Sequence, residues 1–192
     1  MTSSLFALLI AIISIQVGAS LAKQLFPLVG AVGATFLRLT LTTLILSLIW
    51  RPWKAKISRK QKTDIAFYGI SLGFMNLFFY LALDRIPLGI VVALEFIGPL
   101  SVSIWASRKT TDFLWIFLAG SGMICLLPAT DSPSRLDPTG ILFALGAAAC
   151  WAGYIIFGQR ASKGTLESGK TTALGMGIAS LAILPFYLIN RT

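Results

Sequence analysis

Residues 87–106 read PLGIVVALEFIGPLSVSIWA, from Pro87 to Ala106. As a helix rising about 1.5 Å per residue, this run is long enough to cross a hydrocarbon core about 30 Å thick. It holds one charge, Glu95, with Gly98 and Pro99 close behind. A carboxylate at the centre of a bilayer costs about 2.5–3.5 kcal/mol on insertion scales. Pro99 removes a helical hydrogen bond and frees carbonyls further up the turn. An ionisable group beside loosened backbone at membrane depth is how small-ligand sites are built within bilayers. The alternative is a structural carboxylate paired with a buried base.

The rest of the chain agrees with a membrane setting. Of its 192 residues, 56% are apolar and only 12% charged, about half the usual charged share. Too little polar surface remains for a soluble domain, and long uncharged runs point to an integral membrane protein. The expected fold class is therefore all-α, a polytopic membrane helix bundle. The net charge of +9 sits in short loops between spans, where bases set orientation and touch anionic lipid rather than nucleic acid. With no histidine in the chain, His-based metal sites and Ser-His-Asp triads are excluded. No cofactor and no metal are expected. Cys125 lies near the end of one span and Cys150 near the middle of the next, so no disulfide is expected. Ser20-Leu21-Ala22 before Lys23 imitates a signal-cleavage site. MTSS nevertheless lacks a basic n-region and the apolar run exceeds a signal core, so a retained first span is expected.

Seven spans are predicted: Ser4–Ala22, Ala31–Trp50, Asp64–Leu83, Pro87–Ala106, Asp112–Pro128, Pro138–Gln159 and Thr171–Ile189. Alternating by loop, eleven bases fall on one side (Arg51, Lys54, Lys56, Arg59, Lys60, Lys62, Arg108, Lys109, Arg160, Lys163, Lys170) and four on the other (Lys23, Arg85, Arg135, Arg191). That imbalance predicts a cytoplasmic N-terminus and an external C-terminus. Gly69 and Gly73 form a GxxxG, and Ala149 and Gly153 a similar small pair, both marks of close helix contact. Trp50, Trp53, Trp105 and Trp115 fall near the cytoplasmic ends of their spans, where amphipathic rings favour the interface. Laying the sixth span on the first matches Phe143-Ala144-Leu145 to Phe6-Ala7-Leu8 and Arg160 to Lys23. The two spans run in opposite directions, the pattern of inverted repeats.

Counting inward from the outer boundary places Gln16, Arg38, Asn76 and Glu95 about six to eight residues down, or roughly 9–12 Å. An amide, a guanidinium, an amide and a carboxylate at one level would not each face lipid separately. Arg38 and Glu95 are read in two ways. One is a buried salt bridge between helices; the other is a substrate-binding site for a zwitterion. In the second, Arg38 takes a carboxylate through its planar fork, and Glu95 takes an ammonium or couples a proton. Gln16 and Asn76 are either further ligands or interhelical amide bonds. Trp151, Tyr154 and Gln159 form a polar-aromatic stripe on the sixth span, of which Trp151 and Tyr154 are taken as candidate substrate contacts.

Other motifs fail on context. GTLESGKT, from Gly164 to Thr171, spells the phosphate-loop pattern but joins two spans instead of a strand and a helix. Gly69-Ile70-Ser71-Leu72-Gly73 imitates a nucleophile elbow without any histidine to serve it. No catalytic residues are assigned, and the chain is not read as an enzyme.

The stretches SIQVGASLAKQLFPLVGA (Ser14–Ala31), LRLTL (Leu37–Leu41), PLGIVVALEFIGPLSV (Pro87–Val102) and ALGAAACWAGYIIFGQRA (Ala144–Ala161) resemble the EamA branch of the drug/metabolite transporter superfamily. Within it, the bacterial threonine/homoserine exporters are most similar. The resemblance implies a ten-span inner-membrane protein of two inverted five-span repeats, exporting small amino acids and driven by protons. On that pattern, residues 1–130 are the first repeat and 131–192 an incomplete second one of two spans. The chain is then expected to be a truncated version, inactive alone, or one completed by another chain. Partners are thus a small zwitterionic substrate, protons, the lipid bilayer and a second chain, with no nucleic acid. The alternatives are export of another small metabolite and a non-transporting membrane assembly partner.

Overall fold

The computed structural model describes residues 2–55, 57–107, 113–114, 117–118, 120–122, 136–164 and 166–190. Six α-helices carry the bundle among them: α1 Thr2–Trp50, α2 Arg59–Leu83, α3 Leu88–Glu95, α4 Ile97–Ala106, α5 Pro138–Ser162 and α6 Ser168–Asn190. No strand occurs among the described residues. Among the described residues, five stretches are long and apolar enough to cross a membrane: Ile13–Trp50, Arg59–Leu83, Leu88–Ala106, Pro138–Ser162 and Ser168–Asn190. The expected fifth span, Asp112–Pro128, lies largely outside the described residues, as do Cys125 and Trp115.

The 49 residues of α1 would measure roughly 73 Å if straight, far more than a bilayer is thick. They are broken at Gly30, whose φ of 67° and ψ of 168° leave the helical region. Only glycine adopts such a conformation without steric cost. A straight helix would separate Gln16 from Arg38 by roughly 33 Å, yet both line one cavity, so the chain reverses at this point. Two helices therefore stand where two spans are expected, meeting at a single broken residue instead of a loop. After Trp50 comes Arg51 in the left-handed region (φ 47°) and a short 3-10 turn, Pro52–Lys54. Ser58 then caps α2 by accepting from the Gln61 amide.

The fourth expected span is two helices. α3 ends at Glu95, Phe96 forms the joint, and α4 begins at Ile97. Pro99 is the cause: it has no N–H to give the Glu95 carbonyl, and its ring crowds that same carbonyl four residues back.

α2 is the central post, packed on α5 and α6, while α1 packs on α6 and α2, and α3 and α4 lie against α5. Glycine allows these approaches. A Cβ on Gly69 would stand 2.7 Å from both the Gly175 carbonyl and the Ile178 Cβ of α6, and one on Gly73 would stand 3.0 Å from the Ala179 carbonyl. The GxxxG therefore sets the α2–α6 contact. Gly98 is tighter still, its missing Cβ overlapping the Ala148 carbonyl of α5. The second small pair is half used: a Cβ on Gly153 would stand 3.0 Å from the Ser71 hydroxyl, whereas Ala149 is exposed. Around these contacts the core gathers Tyr80, Leu83, Val91 and Ala147 in one cluster, and Leu39, Leu72 and Ile183 in another. Outward, Leu28 and Trp105 are 80% and 78% exposed, as lipid-facing residues of a multi-pass membrane protein must be.

The two ends differ in charge. Trp50 packs on Gly169, and Lys60 shares a cavity with Arg160 and Lys163, so three bases of the expected eleven-member set meet at one end. At the other, Arg85 donates to Asp137 at 2.8 Å, and Asp137 also caps α5 by accepting from the Thr139 amide. The Arg85 guanidinium and then that amide hold the Asp137 carboxyl below its ordinary value of 3.8. This clamp is therefore complete above that pH and is lost as pH falls through the lowered value.

Gly69→Ala should destabilise the protein by about 1–3 kcal/mol, because backbone atoms of α6 cannot yield to a new methyl. Gly18→Ala, which meets nothing within 4 Å, should melt at or above the parent temperature. Thermal unfolding in detergent compares the two, and equal losses would contradict the packing described.

Candidate functional site

A cavity of about 430 Å³ lies among the helices, and Gln16, Arg38, Asn76, Glu95, Trp151 and Tyr154 all line it. Every residue singled out from the sequence as a substrate contact thus stands on one wall or another of a single space. Gln159, the last member of the expected stripe, is exposed and does not line it. Helical spacing explains the convergence. α1 supplies Arg38 and Thr42 at i, i+4; α2 supplies Leu72 and Asn76 likewise; α5 supplies Trp151 and Tyr154 at i, i+3. The break at Phe96 leaves Glu95 at the end of α3, where its residue is only 7% exposed.

Arg38 and Glu95 do not pair. The ion pairs among the described residues are Arg85–Asp137 and Lys170–Glu167, and Glu95 makes no side-chain hydrogen bond among them. Arg38 is instead held from the other side. Its Nη1 donates to the Tyr80 hydroxyl at 3.0 Å, and its guanidinium carbon lies 5.8 Å from the centre of that ring. Tyr80 is itself 1% exposed and braced by Phe26, ring centroids 5.6 Å apart and edge-on. An isolated salt bridge between the second and fourth spans is therefore not what this geometry contains.

Asn76 donates from Nδ2 to the Leu72 carbonyl at 2.8 Å, within its own helix, so its amide does not tie helices together. Trp151 meets Phe96 edge-on at 5.2 Å, and Tyr154 stacks on Tyr68 at 5.0 Å. Met75, Phe79, Phe96 and Met176 complete an apolar lining around few polar groups, the usual make-up of a small-molecule site. Tyr80 is a member of the site that the sequence reading does not single out. Its position four residues after Asn76 puts it on the same face of α2 and was the available signal.

The fold and cavity define a polytopic membrane protein with a polar centre. Residues 138–192 match the EamA-like transporter family. The threonine/homoserine exporter RhtA of Salmonella typhimurium (strain LT2) is 51% identical over 181 residues, 94% of this chain and 61% of the relative. The threonine/homoserine exporter RhtA of Escherichia coli (strain K12) is 52% identical over 178 residues, 93% of this chain and 60% of the relative. The chain spans about three fifths of the length of the curated relatives it matches. No solved structure gives a significant match.

Removing one partner of a buried ion pair typically costs about 3–5 kcal/mol. Because Glu95 has no such partner, Glu95→Gln should leave the melting temperature unchanged or raise it. A large loss of stability in the purified variant would restore the salt-bridge account.

Proposed function

We propose that this chain forms part of an inner-membrane exporter of small amino acids of the threonine/homoserine type, coupled to protons. The observation that carries the proposal is a guanidinium and a carboxylate lining one cavity without pairing. Relationship to the exporters over nearly the whole of this chain supports the substrate class. Arg38 offers a carboxylate a planar, bidentate fork, with Tyr80 fixing it from behind. Glu95 receives either the substrate ammonium or a proton, and the two cannot occupy it together. That exclusivity is what couples amino-acid exit to proton entry. Gln16 and Asn76 bind the substrate's remaining polar atoms, while Trp151 and Tyr154 close on its side chain.

Glycine contacts on either side of the cavity let helices rock as rigid units, so that it opens alternately to each face. The excess of bases in the loops on one side supports a cytoplasmic position for that end and for the N-terminus. Residues 1–130 and 131–192 are assigned to successive inverted repeats, and a further segment or a second chain completes the wall. The chain is a transporter and not an enzyme.

In an otherwise complete protein, Glu95→Gln should abolish proton-coupled efflux while leaving membrane insertion intact, and Arg38→Lys should also fail because a point charge cannot replace the fork. Threonine and homoserine tolerance in a strain lacking its own exporters reads both. The assay compares this chain with a version extended to the length of its relatives. Tolerance from the extended parent but from neither variant is expected. Normal export by Glu95→Gln would remove the coupling role, and no tolerance from the extended parent would remove the substrate class.

A further inference from the structure

A second cavity, also about 430 Å³, opens at the basic end of the bundle. Ser58, Lys60, Gln61 and Asp64 line it from the start of α2, and Arg160 and Lys163 from the end of α5. Gln61, 6% exposed, ties the two helices by donating from Nε2 to the Ala161 carbonyl at 3.3 Å. Gln61 lies fifteen positions before Asn76, or roughly 22 Å along α2, so this space is separate from the central one.

We propose that this cavity binds a phosphate-class oxyanion, with the head-group phosphate of an anionic lipid in the adjoining leaflet as its source. Three cations face one carboxylate there, and none of the four joins an ion pair among the described residues. The C-terminal carbonyls of α5 offset part of this excess, and no further acidic side chain lines the cavity. The N-terminus of the 25-residue α2 adds a dipole of the same sign. Position selects lipid. Trp50 ends α1 and Trp53 follows in the 3-10 turn at this end, and such rings settle at the head-group level. The Arg160 guanidinium lies 5.5 Å from the centre of the Phe157 ring, which joins the charge to the aromatic surface of α5. Basic clefts between helices on the cytoplasmic side suit phosphorylated head groups. Because Lys60 belongs to α2 while Arg160 and Lys163 belong to α5, one bound phosphate would bridge the two helices.

The purified full chain in neutral detergent is melted with phosphatidylglycerol, phosphatidylcholine or soluble glycerol phosphate. Phosphatidylglycerol should raise the melting temperature by about 5 °C at saturation, and phosphatidylcholine should not. The double variant Arg160→Gln/Lys163→Gln should lose at least half of that gain, whereas Lys54→Gln, an exposed base outside the cavity, should keep it. Asp64→Asn, which removes the opposing charge, should strengthen it. A gain with phosphatidylglycerol alone identifies a lipid ligand, and an equal gain with glycerol phosphate identifies a soluble one at the same site. No gain from either anion, equal gains from both lipids, or an undiminished gain in the double variant would overturn the proposal.

Discussion

Two opposite charges held near one another in a low-dielectric space attract strongly, and left to themselves they would close into a salt bridge. The architecture around the central cavity prevents that closure. Arg38 is drawn back by the Tyr80 hydroxyl and ring, and Tyr80 has no room to follow because it is almost wholly buried. Glu95 is fixed at the end of a helix that Pro99 forces to break. The cost of keeping a carboxylate unpaired within the bundle falls on the fold as a whole. Such a cost at one point is the usual mark of a functional site.

The packing that bears this cost relies on missing side chains. Gly69, Gly73 and Gly98 let α2 meet α6, and α4 meet α5, at backbone distance. In lipid no hydrophobic force draws helices together, so van der Waals contact of this kind does the work. Close contacts on either side of the cavity also leave the aromatic residues Phe96, Trp151 and Tyr154 to line the space itself. Large rings fill volume beside the polar groups while making few hydrogen bonds of their own.

Much of this was legible in the sequence, and the rest was not, for physical reasons. Membrane insertion, helical class and the placing of Gln16, Arg38, Asn76 and Glu95 toward one interior followed from apolar length and the cost of polar groups in hydrocarbon, and Trp151 and Tyr154 from their helical spacing. The GxxxG contact followed from residue size. Backbone breaks were harder to place. A seven-span division anticipated a loop where Gly30 alone reverses the chain, because a positive φ at glycine leaves no compositional trace beyond the glycine. It also read the fourth span as one helix with a freed carbonyl, where Phe96 separates two. The separation of Arg38 from Glu95 depended on Tyr80, a partner drawn from a third helix. No spacing rule along one chain segment specifies a contact of that kind. Depth counting brought the acid and base to one level but could not say which neighbour each would choose.

The central claim is that an unpaired guanidinium and an unpaired carboxylate together receive a zwitterion. Equilibrium dialysis of labelled ligands against the purified protein, extended to the length of its relatives, tests it directly. Threonine should bind, while threoninol, which lacks the carboxylate, and N-acetylthreonine, which lacks the ammonium, should each bind at least tenfold more weakly, a loss of about 1.4 kcal/mol or more. Equal binding of threonine and either analogue would contradict the account.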